Sequence, residues 1–214
     1  MIVLILWVCT EQIHYVCAMS QPYQSFTRSR EELEMLAVYG ALQNPQPKAI
    51  CIECIDLRFA QGFEHFREEM LEVNRHEDIV MRLAGSLTPL AYPNEMPSRC
   101  KYLKKQLVFK CKKFPSIERI IVIAHKNCAY YDTVPSVQNH RCNDEYGIER
   151  GDLPLIGSFL EIVFPGKSIE LYHADLIDGG RLVAFNQVPL INFELHSPHE
   201  QQRIQRIMAI GTKV

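Results

Sequence analysis

The chain has 214 residues, 47% of them hydrophobic, which suits one domain with a large core and is too apolar for intrinsic disorder. With 23 basic against 25 acidic residues the formal net charge is −2, so no global field draws the chain to nucleic acid or to an anionic membrane. Its 8 cysteines fall short of disulfide-scaffold density, and several sit in apolar periodic segments, which points to reduced thiols and a cytoplasmic setting.

The opening apolar run, Ile2 to Val8, is too short to span a bilayer, and no basic residue precedes Arg28 to make a secretory n-region. Residues 1–28 read as an N-terminal arm or a mis-started segment, with Met19 as another candidate start and export left open. Residues 29–214 read as a single α/β domain. Ser29 and Glu32 fit a capping box for a helix that stops at Gly40. After a link with two prolines, Ala49 to Cys54 is an apolar run of strand length, as expected of a strand buried on both faces.

Gly62 to Asn74 is amphipathic at helical period, Asp78 to Leu83 reads as a second strand, and a Pro- and Gly-rich loop follows. Ser98 is placed to cap a helix over 99–114, on which Lys101, Lys104, Lys105, Lys110, Lys112 and Lys113 form a solvated face. Glu118 to Ala124 is the strongest strand pattern. Asp152 to Phe164 reads as a helix with Pro154 in its first turn. Ser168 to Ala174 is a fourth strand, and Asp178-Gly179-Gly180 turns the chain into a fifth.

Strands alternating with helices imply right-handed crossovers and a doubly wound, mainly parallel four-stranded sheet, with an antiparallel edge strand and helices on both faces. Ligands in such folds gather beyond the carboxyl ends of the strands. Two chemically loaded stretches end there: "CIECIDLRF", residues 51–59, and "IVIAHKNCAYY", residues 121–131. Strand alternation lets Cys54, Asp56 and Arg58 share a face and turns Cys51 to the other, against a redox or zinc-knuckle reading of Cys51-x-x-Cys54.

At the second tip His125 and Cys128 are spaced to face inward from one tight turn. With Cys54 they make a Cys₂His set, the pattern of a catalytic zinc site with an open position. Asp56 then has a role as acceptor beside the metal, and Arg58 as the cation that holds it ionised. Taken singly, each motif also fits buried cysteines, a hydrogen-bonded histidine and a surface ion pair. Their joint placement at two buried strand ends favours the metal site. His196 and His199 read as a capped helix start, and His140 and Cys142 as loop residues.

These residues resemble the β-class carbonic anhydrases, which carry C-x-D-x-R after the first strand and H-x-x-C after the third. "QPKAICIECIDLR", "DIVMRLAGS" and "HADLIDGGRLV" are similar to other stretches of that family in the same order, over roughly residues 30 to 190. The resemblance implies one zinc ion per chain on Cys54, His125 and Cys128, with Asp56 and Arg58 as a catalytic dyad. It further implies reversible hydration of carbon dioxide to bicarbonate by a zinc-bound hydroxide, and a homodimer or higher homo-oligomer. Three positions depart from the pattern. Ala129 follows Cys128 where the family has glycine, Leu83 stands where it has asparagine, and Gln43 and Gln46 flank the place of a substrate-holding glutamine. Two alternatives follow: a hydrolase of carbonyl sulfide or carbon disulfide on the same site, or a zinc-binding regulatory protein without turnover.

Overall fold

A computed structural model describes residues 7–9, 12–14, 44–74, 77–138 and 148–210. They fall into two compact units, Met1–Pro45 and Gln46–Val214. In the first, β1 (Trp7–Cys9) pairs antiparallel with β2 (Gln12–His14). The expected capped helix at 29–40 and the His140/Cys142 loop lie outside the described residues.

The second unit is built on a five-stranded sheet in the order β4-β3-β5-β6-β7. Its strands are β3 (Ala49–Cys54), β4 (Asp78–Leu83), β5 (Arg119–His125), β6 (Ser168–Ile177) and β7 (Leu182–Val188). The first four run parallel and β7 pairs antiparallel with β6 across the Asp178–Gly180 turn, which is the α/β architecture read from the sequence. The run Ala49–Cys54 is buried at every residue, as a central parallel strand must be.

Ile50, Ile52, Ile120 and Val122 face a core closed by α2 (Thr88–Ala91), α3 (Pro97–Lys113), α5 (Ile148–Val163) and α6 (Pro198–Ala209). Ala49, Cys51, Ile121 and Ile123 face the other side, against Phe59 and against Phe63 of α1 (Ala60–His65). Cys51 therefore belongs to the core, where burial pushes its thiol up to about 12.

Several local expectations are corrected. The segment expected as one helix from Gly62 to Asn74 is α1 followed by a π-helical turn, Phe66–Met70, and ends four residues early. The reason is Arg67: it turns inward to Glu53, which is fully buried on β3, and to Asp78 Oδ2 at 3.1 Å on β4. Arg82 Nε completes the cluster at 2.6 Å from Glu53 Oε1. A carboxylate without water has to be paired this way, and the wide turn lets Arg67 reach it. Ser98 does not cap α3; Met96 is the cap residue and makes no side-chain cap bond. Pro154 is interior to α5, which begins at Ile148.

Lys104 leaves the solvated lysine face. Its ammonium donates to the carbonyls of Ile207, Met208 and Ile210 at 2.7, 3.0 and 2.5 Å, satisfying the open end of α6. At the other end of α6 the expected capped start is present: Ser197 and Glu200 form a capping box. Residues 135–138 form a single helical turn, α4 (Pro135–Gln138).

One feature of the register positions the site. The pairing of β3 with β5 stops at Ile52↔Val122, although β3 stays with β4 to Cys54↔Leu83 and β5 stays with β6 to His125↔Ala174. The two central strands splay apart at their carboxyl ends. The crevice opens where the chain winds outward to β4 on one side and to β6 on the other, the switch point of a doubly wound sheet.

Candidate metal centre

Cys54 ends β3 on one lip of that crevice and His125 ends β5 on the other. A turn at Lys126 and Asn127, with Asn127 in the left-handed region at φ 56, brings Cys128 back beneath them. A 3₁₀ turn, Ala129–Thr133, then carries Tyr131 into the same apolar cluster as Cys54 and Cys128. Cys54, His125 and Cys128 are 5%, 1% and 4% exposed, and one ligand atom from each lies within 4.8 Å of the others.

Three features of this trio fit a zinc ion. The two sulfurs are 3.8 Å apart, far outside a disulfide bond, while two zinc–sulfur bonds of about 2.3 Å at a tetrahedral angle span about 3.8 Å. His125 Nδ1 lies 3.0 Å from the Lys126 carbonyl, which can only accept, so Nδ1 carries the proton and Nε2 presents its lone pair. Nε2 is buried and has no hydrogen-bond partner. The Phe59 ring lies against the imidazole with centroids 4.3 Å apart and fixes its plane.

The electrostatics favour a metal at the Cys54 thiol, while at His125 they favour a proton that a bound metal would displace. The Cys128 thiol, against the cost of burial and with His125 helping, brings the Cys54 thiol down to about 4. Burial opposes charge on His125, but Cys54 and the Lys126 carbonyl outweigh it and raise the imidazole. Thiolate character at Cys54 is what a metal ligand requires.

Asp56 and Arg58 stand just beyond β3. Arg58 grips the carboxylate as a fork, with Nε 3.0 Å from Oδ1 and Nη2 2.6 Å from Oδ2, and its backbone N–H adds a bond of 3.0 Å to Oδ1. These bonds, the side-chain fork foremost, hold the Asp56 carboxyl below the ordinary aspartate range. Asp56 Oδ2 is 3.8 Å from His125 Nε2, on the side the imidazole offers to a ligand. The five residues proposed from the sequence are thus brought together.

Four further side chains could pass a proton from such a site, Tyr130, Tyr131, His65 and His173, and of these Tyr131 alone lines the pocket with the ligand residues. His65 is exposed at the end of α1, and His173 is buried on β6 beside Ala124, where burial pushes it down to about 4. The ligand residues together with Gly85, Ser86 and Tyr131 line a small pocket. Gly85 and Ser86 were not among the expected site residues. Their signal was the Ala-Gly-Ser directly after the second strand, read as loop.

No family model matches the chain, and no curated protein matches it. Among solved structures it is similar to the β-carbonic anhydrase CafA of the fungal pathogen Aspergillus fumigatus, at 9% identity over 78% of this chain and 84% of that one, with a TM-score of 0.39. It is also similar to one of two tetrameric β-carbonic anhydrases from the filamentous ascomycete Sordaria macrospora, at 15% identity over 67% and 81%, TM-score 0.39. Identities and TM-scores of this size carry no inference about activity, which has to come from the residues of the chain itself.

Proposed function

We propose that the chain is a zinc enzyme of the carbonic anhydrase type, which hydrates carbon dioxide reversibly to bicarbonate and a proton. One observation carries this reading. The buried thiol–imidazole–thiol set stands 3.8 Å from a carboxylate that an arginine holds ionised, and a purely structural metal site has no use for that carboxylate. Bound by Cys54, His125 and Cys128, zinc would lower the pKa of a water in its open position towards neutrality.

The chain's own residues do the rest. The Lys126 carbonyl keeps His125 in the tautomer that offers Nε2. Asp56 accepts the hydrogen bond of the attacking water and turns its lone pair towards the carbon, and Arg58 keeps Asp56 from taking the proton outright. That proton stays on the oxygen and ends in bicarbonate, while the proton the water gave up on ionising leaves to solvent. Ile55 and Leu57 alternate with the site residues and are 54% and 86% exposed, apolar surface that a second copy of the chain would cover in a homo-oligomer. Among the described residues no helix is long and apolar enough to cross a membrane.

The test is metal analysis of the purified protein followed by stopped-flow hydration of carbon dioxide. One zinc per chain and measurable hydration are expected, with Asp56→Ala slower by about 100-fold at unchanged zinc content. Protein that binds no zinc overturns the reading. Zinc without hydration moves the weight to carbonyl sulfide, assayed in the same preparation.

A further inference from the structure

The loop that follows β4 makes two overlapping turns. Ser86 N–H donates to the Leu83 carbonyl at 2.9 Å, and Thr88 N–H donates to the Gly85 carbonyl at 2.9 Å. Two residues in a row take left-handed backbone, Gly85 at φ 73 and Ser86 at φ 52. For Gly85 the requirement is double, because a Cβ there would sit 2.2 Å from Tyr130 Cδ1. Ser86 is different: a β-carbon in the left-handed region is unfavourable, and glycine or asparagine would fill the position at less cost.

The side chain adds a second cost. Ser86 is 3% exposed, and its hydroxyl is buried with no hydrogen-bond partner. It lines the pocket above Cys54, His125 and Cys128. Of the polar side chains around that pocket, Ser86 and His125 have a buried atom without a partner, and the His125 atom is the one offered to the metal. A strained backbone that holds an unsatisfied hydroxyl inside a ligand pocket marks a group waiting for its partner.

We propose that Ser86 Oγ is the hydrogen-bond partner of an oxygen atom on the small molecule that occupies the open position beside Cys54, His125 and Cys128. This rests on the metal-centre reading and adds a ligand class to it: oxygen-bearing molecules such as water, bicarbonate and other carboxylate-like anions. Ser86 is a positioning residue in this role. A hydroxyl pairs far better with oxygen than with sulfur, so Ser86 selects for oxygen ligands and is indifferent to those that enter through sulfur.

Cobalt(II) in place of zinc makes the site visible by absorption, and formate and hydrosulfide serve as oxygen- and sulfur-bound probes. Ser86→Ala and Ser86→Gly are both examined, since glycine relieves the backbone where alanine does not. Both variants should take up cobalt fully and bind formate about tenfold more weakly, with hydrosulfide affinity unchanged. The metal-free variants should melt no lower than the parent, Ser86→Gly higher, because an unpaired buried hydroxyl has been removed. Full cobalt uptake with unchanged formate affinity overturns this inference alone. So does a loss that hydrosulfide shares, which would indicate general distortion. Failure of the parent protein to take up cobalt or zinc overturns the metal-centre reading and this inference with it.

Discussion

Arg58 is half exposed, yet it determines where the Asp56 carboxylate points, because its guanidinium fork spans both oxygens and its backbone N–H also donates to Oδ1. Arg58→Ala should lower kcat for hydration by roughly 100-fold with zinc content unchanged, and Arg58→Lys should rescue little, since an ammonium cannot reproduce the fork. Stopped-flow rates beside metal analysis check both. At this scale much was legible. The two-residue alternation of a strand separates Cys51 from Cys54, and it does so without any knowledge of what packs on either face. Ser86 was not legible, because its left-handed backbone follows from two turns and from the Tyr130 ring on Gly85, contacts that no local pattern encodes. Nor was Glu53, whose carboxylate interrupts an apolar run and is tolerated only because Arg67 and Arg82 arrive from other elements.

Among the elements, the loop after β4 carries the most consequence for the least chain. Gly85→Ala would force an alanine into left-handed backbone and its methyl group into the Tyr130 ring. It is expected to cost about 3 kcal/mol, a fall of roughly 6–12 °C in Tm for a domain of this size. Thermal unfolding measures it, and Gly85→Ala combined with Tyr130→Ala should recover part of the loss. The β3 and β4 boundaries match the sequence reading because each strand ends where an apolar run meets a turn. Helix ends were harder. The π-helical turn at Phe66–Met70 exists to deliver Arg67 inward, and the early start of α5 leaves Pro154 inside a helix, where its missing N–H argues against placing it.

For the molecule as a whole, acid stability has an identifiable contributor in the pair that ties β5 to β6. Burial disfavours charge on Glu170, but Arg119, with Nε 2.7 Å from Oε1 and Nη2 2.9 Å from Oε2, outweighs it and holds the carboxyl below the ordinary glutamate range. A folded-state pKa below the unfolded value, about 4.3, means that the pair stabilises the fold above that pH. The contribution is then lost as pH falls through the lowered value. Glu170→Gln should cost about 1 kcal/mol at pH 7, and the gap between parent and variant should close towards pH 3, as followed by urea midpoints. The architecture of residues 46–214 was legible because four apolar runs alternate with amphipathic segments, and handedness rules leave few ways to assemble them. The ion cluster behind β3 was not, since its members come from three elements and none is unusual alone.

The splay between β3 and β5 also bears on the order of events in folding. Cys54 and Cys128 are 74 residues apart in sequence, and they meet only after β3 and β5 have paired and β4 and α3 have been wound between them. The entropy of closing so long a segment has to be overcome before a ligand set exists, so a metal ion has nothing complete to bind in the folding transition state. Its stabilisation should therefore appear in the rate of escape from the native state. Chelation is expected to speed unfolding by about tenfold or more while refolding rates in water stay within about twofold, a contrast that the two arms of a chevron measured with and without metal would display.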